Sequence, residues 1–122
     1  MSREQPPLHV GIIAGEASGD NLAAGLIHAV RERIPDAVFE GVAGPRMIEA
    51  GCFSLYPMER LSVMGLVEII QHLPGLLAMR RSLRRHFLAT PPDIFIGVDA
   101  PDFNLALERQ LKRNGIRTLH YV

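Results

Sequence analysis

The chain is short of several things, and each shortage removes a class of explanation. It has one cysteine, Cys52, among 122 residues, which excludes an internal disulfide framework and fits a reducing compartment. It has no net charge, because 13 basic residues balance 13 acidic ones, so overall electrostatics give no reason to expect nucleic acid as a partner. It has no long apolar run behind its polar start, MSREQPP. About seven apolar residues follow, too few for a signal peptide or for the ~20 of a membrane span. The expected location is the cytoplasm, with a membrane surface left open. No repeat, low-complexity tract or linker divides the sequence, and its length suits one domain. What it does contain, 48% hydrophobic and 21% charged residues, is the composition of an ordinary folded protein rather than a disordered one.

Short β-rich runs alternate with amphipathic stretches. Residues 1–7 read as a loose tail, and Leu8–Ala14 (LHVGIIA) as a buried strand. A helix follows, capped by Ser18 or Asp20, with Leu22, Leu26, Ala29, Val30 and Arg33 along one stripe, and Pro35-Asp36 ends it. Ala37–Ala43 is a second strand, Pro45 opens a short helix over Arg46–Ala50, and Cys52–Leu55 is a third, weaker strand. Residues 61–88 are helical in pattern, interrupted at Pro74-Gly75. Asp93–Val98 is the strongest strand. Pro101–Arg113 is a helix with Phe103, Ala106, Leu107 and Gln110/Leu111 on its stripe and Asn114-Gly115 at its end, and Ile116–Val122 is the last strand. This alternation predicts an α/β fold, a Rossmann-like parallel sheet with helices on both faces. Ligands of such sheets bind beyond the carboxyl ends of the strands. The turns "GEASGD", "GPRM" and "DAPDFN" therefore share one edge, although up to 80 positions separate them.

Several familiar motifs are missing from those turns. No lysine follows the last glycine of "GEASGD", so it is not a P-loop. Gly11, Gly15 and Gly19 are spaced four apart rather than as G-x-G-x-x-G, and the second strand ends in "VAGPRM" without the acid a nicotinamide site wants. Ser18 stands in G-x-x-S-G, which is not a nucleophile elbow. Two readings of the turn remain: glycines that let backbone and a helix N-terminus approach a ligand, or a tight turn with a capping side chain. Glu16 favours the first, because an acid among small residues does nothing for folding. Asp99 lies just past an apolar strand and before a helix start, where a carboxylate is rigidly held and kept ionised, as a general base must be. Its alternative, and more so that of Asp102, is a capping acid. The five histidines are scattered, no metal-ligand spacing occurs, and only His120 lies near enough to the expected crevice to reach it.

The stretch 63–88 is unusual in another way. Val63, Met64, Leu66, Val67, Ile69, Ile70, Leu73, Leu76 and Leu77 are apolar nearly all round, with Glu68 the only charge before Arg80. Arg80, Arg81, Arg84 and Arg85 then form one basic face, opposite Leu76, Met79, Leu83 and Phe87, which should pack on the sheet. Such a helix either lies at a membrane interface above anionic headgroups or is buried in a core or subunit interface.

The stretches "GEASGD", "GVAGPRM", "VMGLVE", "GVDAPDFN" and "HYV", in this order, closely resemble the N-terminal part of the lipid-A-disaccharide synthase family, over Leu8 to Val122. The resemblance implies the N-terminal half of a GT-B glycosyltransferase. It implies UDP-2,3-diacylglucosamine and 2,3-diacylglucosamine 1-phosphate as substrates, no metal or other cofactor, no nucleic acid, and a site on the cytoplasmic face of the Gram-negative inner membrane. Carried over, Asp99 is the catalytic base. Gly15, Glu16, Ser18, Gly19, Asp20, Asp102 and Asn104 bind substrate, residues 63–77 meet acyl chains or bilayer, and the four arginines meet lipid phosphates. The family continues past residue 122 into a nucleotide-binding domain, so residues 8–122 are expected to be an incomplete acceptor-side domain, inactive alone and dependent on its missing half or on self-association. The competing expectations are a non-catalytic lipid-binding module and another UDP-sugar enzyme such as an epimerase.

Overall fold

The computed structural model describes residues 6–62 and 66–121, with backbone alone for 66–69. Its strands are β1 (His9–Ala14), β2 (Val38–Ala43), β3 (Cys52–Pro57), β4 (Ile94–Val98) and β5 (Thr118–Tyr121). Its helices are α1 (Ala17–Arg33), α2 (Pro45–Glu49), α3 (Leu66–Ala89) and α4 (Pro101–Arg113), with a 3₁₀ turn at Met58–Arg60. All strand pairs are parallel and the order is β3-β2-β1-β4-β5, as the alternating pattern predicts. The chain runs outward from β1 to β3, then crosses back to β4 and runs outward again. Right-handed crossovers therefore put α1 and α2 together on one face and α3 and α4 together on the other. The direction of winding reverses between β1 and β4, which is where such sheets open a crevice.

The core is built from the central strands, with Ile12, Ile13, Phe39, Phe95 and Val98 at most 1% exposed. On one face Ala23, Ala24 and Ile27 of α1 pack down. On the other face Met79, Leu83 and Phe87 of α3 and Leu107 and Leu111 of α4 do so, and Phe87 meets Phe95 edge-on at 5.4 Å. The Met79, Leu83 and Phe87 stripe lies where the sequence places it.

Three local expectations need correction. The buried stripe of α1 is rotated: Leu22 is exposed, along with Ala29 and Arg33, while the small Ala23 and Ala24 lie buried. Small residues let the helix axis come close to the sheet, and a stripe drawn through the largest aliphatics misses them. Helix α1 also begins at Ala17, with Glu16 rather than Ser18 or Asp20 at the cap position. Finally, α3 runs unbroken through Pro74. A proline removes one helical hydrogen bond, but Pro74 and Gly75 are both exposed, so water can serve the freed carbonyl.

Asp20 has a different task from the expected one. It is 3% exposed, and its carboxylate accepts hydrogen bonds from the backbone N–H groups of Arg46 (3.0 Å) and Met47 (2.9 Å). It thus caps α2 from across the fold, supplying the acceptor that Gly44 at the cap position lacks. Asp20→Ala is expected to lower stability by about 2 kcal/mol, since a cap is lost and buried donors are orphaned. Urea unfolding measures this, and a loss below ~0.5 kcal/mol shows the cap to be dispensable.

The histidines are less scattered than the sequence suggests. His9 of β1 and His86 of α3 converge on Glu40 of β2, with Nε2 atoms 2.5 and 3.1 Å from Glu40 Oε2. The second contact is too poorly aligned for a hydrogen bond, which leaves His86 Nε2 buried without a partner. Nearby Cys52 is buried, and its thiol is pushed up from 9.0 to about 12 by burial first, then by the charges of Glu40 and Asp20. Between pH 9 and 12 the unfolded thiol loses its proton while the folded one keeps it, so stability falls as pH rises through that window. The slope from this group approaches ~1.4 kcal/mol per pH unit. Cys52→Ala should remove that part of the alkaline loss; equal slopes in parent and variant, compared by urea unfolding, would rule the thiol out.

Candidate active site

Beyond the carboxyl ends of the strands, at the winding reversal, lies a cavity of about 340 Å³. Four pieces of chain wall it. The turn after β1 contributes Gly15 and Glu16, the loop before α3 contributes Leu61 and Ser62, α3 contributes Leu73, Leu76, Leu77 and Arg80, and the start of α4 contributes Ala100 to Phe103. A larger hollow of about 450 Å³ sits at the opposite sheet edge against Pro92, Asp93 and Arg117. Of these two, the smaller stands where parallel sheets bind ligands, and a neighbouring hollow of about 440 Å³ shares its Ser62 and Leu76.

Each wall has a local cause. Gly15 is required because an added Cβ would lie 2.9 Å from the Cβ of Ala100, so the two turns flanking the reversal touch only with glycine there. Ser62 Oγ donates to the Gly15 carbonyl at 2.7 Å, fastening the loop before α3 to the same turn. Arg80 Nη1 donates to the Asp102 carbonyl at 3.3 Å, and its guanidinium stands 5.7 Å from the centre of the Phe103 ring. Arg80 is thereby turned toward the cavity, apart from the exposed Arg81 and Arg85 and half-buried Arg84. The helix α1 starts without a side-chain cap, so its first N–H groups are available to an anionic or hydroxyl-bearing ligand. Helix α4 offers less, because it opens on Pro101, which has no N–H, and the Phe103 N–H already bonds the Ala100 carbonyl at 3.2 Å. One end of the cavity is polar, with Glu16, Asp102 and Arg80. The other is a leucine wall.

The structure divides the expected site residues. Gly15, Glu16 and Asp102 line the cavity, as do Leu73, Leu76, Leu77 and Arg80. Ser18 is exposed outside it, 3.5 Å from Glu16 Oε1. Gly19 is buried at the start of α1, where an added Cβ would lie 3.5 Å from the Cβ of Ala14. Asp20 and Asn104 are buried and hydrogen-bonded to backbone, Asp20 through its carboxylate and Asn104 through Nδ2. These three are corrected from ligand contacts to packing or support, because their positions on the helices turn them inward. His120 does not reach the crevice either: its Nδ1 lies 2.7 Å from Glu108 Oε2. Glu108 itself fits over β4 only because Gly97 beneath it has no side chain. Asp99 is half-buried and, unlike its neighbour Ala100, is not among the residues that line the cavity. Its N–H donates to the Tyr121 carbonyl at 3.0 Å and its carbonyl accepts from Asn104 Nδ2 at 2.9 Å. Ile70 is 63% exposed, Leu73 45% and Leu77 40%. Val63 and Met64, and the side chains of Leu66, Val67 and Ile69, lie outside the described residues.

Sequence reasoning missed Leu61, Ser62, Ala100, Pro101 and Phe103. Ser62 was within reach, because it follows the third strand and the edge rule brings that turn to the cavity too. The weak strand pattern at Cys52–Leu55 hid it; the strand in fact extends to Pro57.

The fold and the cavity define a Rossmann-like α/β half-domain with a candidate ligand cavity at the switch point, lined mostly by apolar side chains with a few polar ones. Comparison of sequences then narrows the class. The family described as lipid-A-disaccharide synthetase matches residues 10–122, and the chain belongs to that family. It is 60% identical over 116 residues to the lipid-A-disaccharide synthase of Psychromonas ingrahamii, covering 95% of this chain and 30% of that protein. It is 56% identical over 122 residues to the enzyme of that name from Pseudoalteromonas translucida, covering 100% of this chain and 32% of that one. The chain thus spans about a third of the length of these curated relatives.

Proposed function

We propose that this chain is the acceptor-side half-domain of a lipid-A-disaccharide synthase, acting at the cytoplasmic face of the inner membrane. The observation that carries the reading is the cavity itself, in which the leucines of α3 run directly into Glu16, Asp102 and Arg80. A diacylated sugar phosphate has the same two ends. Its acyl chains suit Leu73, Leu76 and Leu77, and its phosphate suits Arg80 and the uncapped start of α1. Among the described residues no helix is long and apolar enough to cross a membrane; the exposed Ile70, Leu73 and Leu77 are what support a peripheral contact.

In this reading Asp99 removes the proton of the acceptor hydroxyl. The oxygen attacks the anomeric carbon of the UDP-sugar, the bond from that carbon to the diphosphate breaks, and UDP leaves with inversion. The main chain of Asp99 is tied on both sides, which supports a fixed carboxylate position. The donor nucleotide falls to the part of the relatives that this chain does not span. The test is a chimera in which residues 8–121 replace the matching stretch of the Psychromonas ingrahamii protein. It should release UDP from the two lipid substrates in proportion to disaccharide formed. A chimera that binds vesicles but releases no UDP would favour the non-catalytic module instead.

A further inference from the structure

We propose that Asn104 is a positioning residue whose side-chain amide holds the left-handed turn carrying Asp99, and so sets where that carboxylate stands. The inference rests on the reading of Asp99 as the base. Asn104 is 0% exposed. Its Nδ2 donates to the carbonyls of Asp99 at 2.9 Å and Ile13 at 3.2 Å, with that of Val98 at 3.5 Å. One amide therefore ties together the end of β1, the end of β4 and the turn beyond it. Its backbone N–H also bonds the Ala100 carbonyl at 2.9 Å.

The turn it holds is a strained one. Asp99 has φ 55° and Ala100 φ 42°, two consecutive left-handed residues without glycine, a conformation that side chains disfavour. Alanine has no polar side chain to stabilise it locally. The free end of the Asn104 amide, Oδ1, has no partner, and a buried amide with one end unpaired is a poor choice for a core. An aliphatic residue of similar size would fill the space with less loss. What it could not supply is the pair of N–H donors that Asp99 and Ile13 receive. Without them the turn relaxes toward negative φ, and the Asp99 Cα–Cβ bond swings out of the direction that the turn now fixes.

The chimera tests this. Asn104→Ala is expected to lower kcat about 10²-fold, the scale of a ~1 Å misplacement, while KM for the UDP-sugar stays within about twofold. Adding Ala100→Gly, which makes the left-handed conformation unstrained, should restore about tenfold of the lost kcat. If Asn104 acted only by filling space, a glycine at 100 would restore nothing, and that result overturns the proposal. Asn104→Asp keeps the shape but replaces donors by an acceptor, so it carries the same expected loss if the alanine variant does not fold. A folded variant of either kind with kcat within about threefold of the parent also overturns it. Asp99→Asn separates the two levels. If it abolishes turnover while the Asn104 variants run at full rate, only the clamp fails. If Asp99→Asn is fully active, or the parent chimera releases no UDP, the reading of Asp99 fails and takes the clamp with it.

Discussion

Asp99→Asn in the chimera is expected to lower kcat by about 10³-fold, within the range that general-base catalysis contributes. The amide is isosteric with the carboxylate but cannot accept the hydroxyl proton. Asparagine is also among the few residues that tolerate a left-handed backbone, so the turn at φ 55° should persist. The anchors of that turn, Tyr121 and Asn104, contact only the main chain of Asp99 and are untouched by the change. Steady-state kinetics should therefore show the loss in kcat, with KM for the donor nearly constant, because the proposed function gives the donor nucleotide to the part of the relatives that this chain does not span. A variant with unchanged turnover would move the search for the base to Glu16 or Asp102, the acids that line the cavity.

The second large effect concerns the leucine wall. Ile70, Leu73 and Leu77 recur on one side of α3 and are 63%, 45% and 40% exposed. Burying a large aliphatic side chain is worth about 2 kcal/mol, and half-buried ones retain roughly half of that for a bilayer. Replacing all three by serine should thus weaken binding to anionic phospholipid vesicles by about 3 kcal/mol, or ~10²-fold in partition. The melting temperature should move little, since the residues that seat α3 are Met79, Leu83 and Phe87. Co-sedimentation and a thermal melt on the same preparation decide the matter. Vesicle binding unchanged by the triple replacement rejects the membrane contact, and a large fall in melting temperature assigns these side chains to packing.

Much of the site was legible because one topological rule collects remote residues. Once β1 and β4 are parallel neighbours, Gly15 and Glu16 must face Ala100 and Asp102 across the reversal. What the rule does not give is the direction of each side chain. Ser18, Gly19 and Asp20 occupy successive positions of one helical turn, so they point in three directions and only their predecessors Gly15 and Glu16 meet the cavity. Asp20 shows the difficulty most plainly: its partners are the N–H groups of Arg46 and Met47, 26 and 27 positions later. Nothing in the local sequence announces them. Arg80 was grouped with three other arginines by helical spacing, and only its contacts with Asp102 and Phe103 single it out.

The sequence by itself determined the alternation of strands and helices, the parallel sheet, the edge at which the turns gather and the apolar character of α3. These follow from periodicity, chain length and the handedness of crossovers, which are local or global rules that need no coordinates. Tertiary structure alone decided which acids meet a ligand and which hold the backbone. It decided that Asn104 serves the turn of Asp99, that His120 turns to Glu108, and that His9 and His86 share Glu40. The reason is that a polar side chain's role is set by whichever donor or acceptor lies within about 3 Å. Some of these partners are 31 or 91 positions apart in sequence, and even those 5 or 12 apart are chosen by how a helix packs on the sheet, so the partner becomes known only when the sheet is assembled.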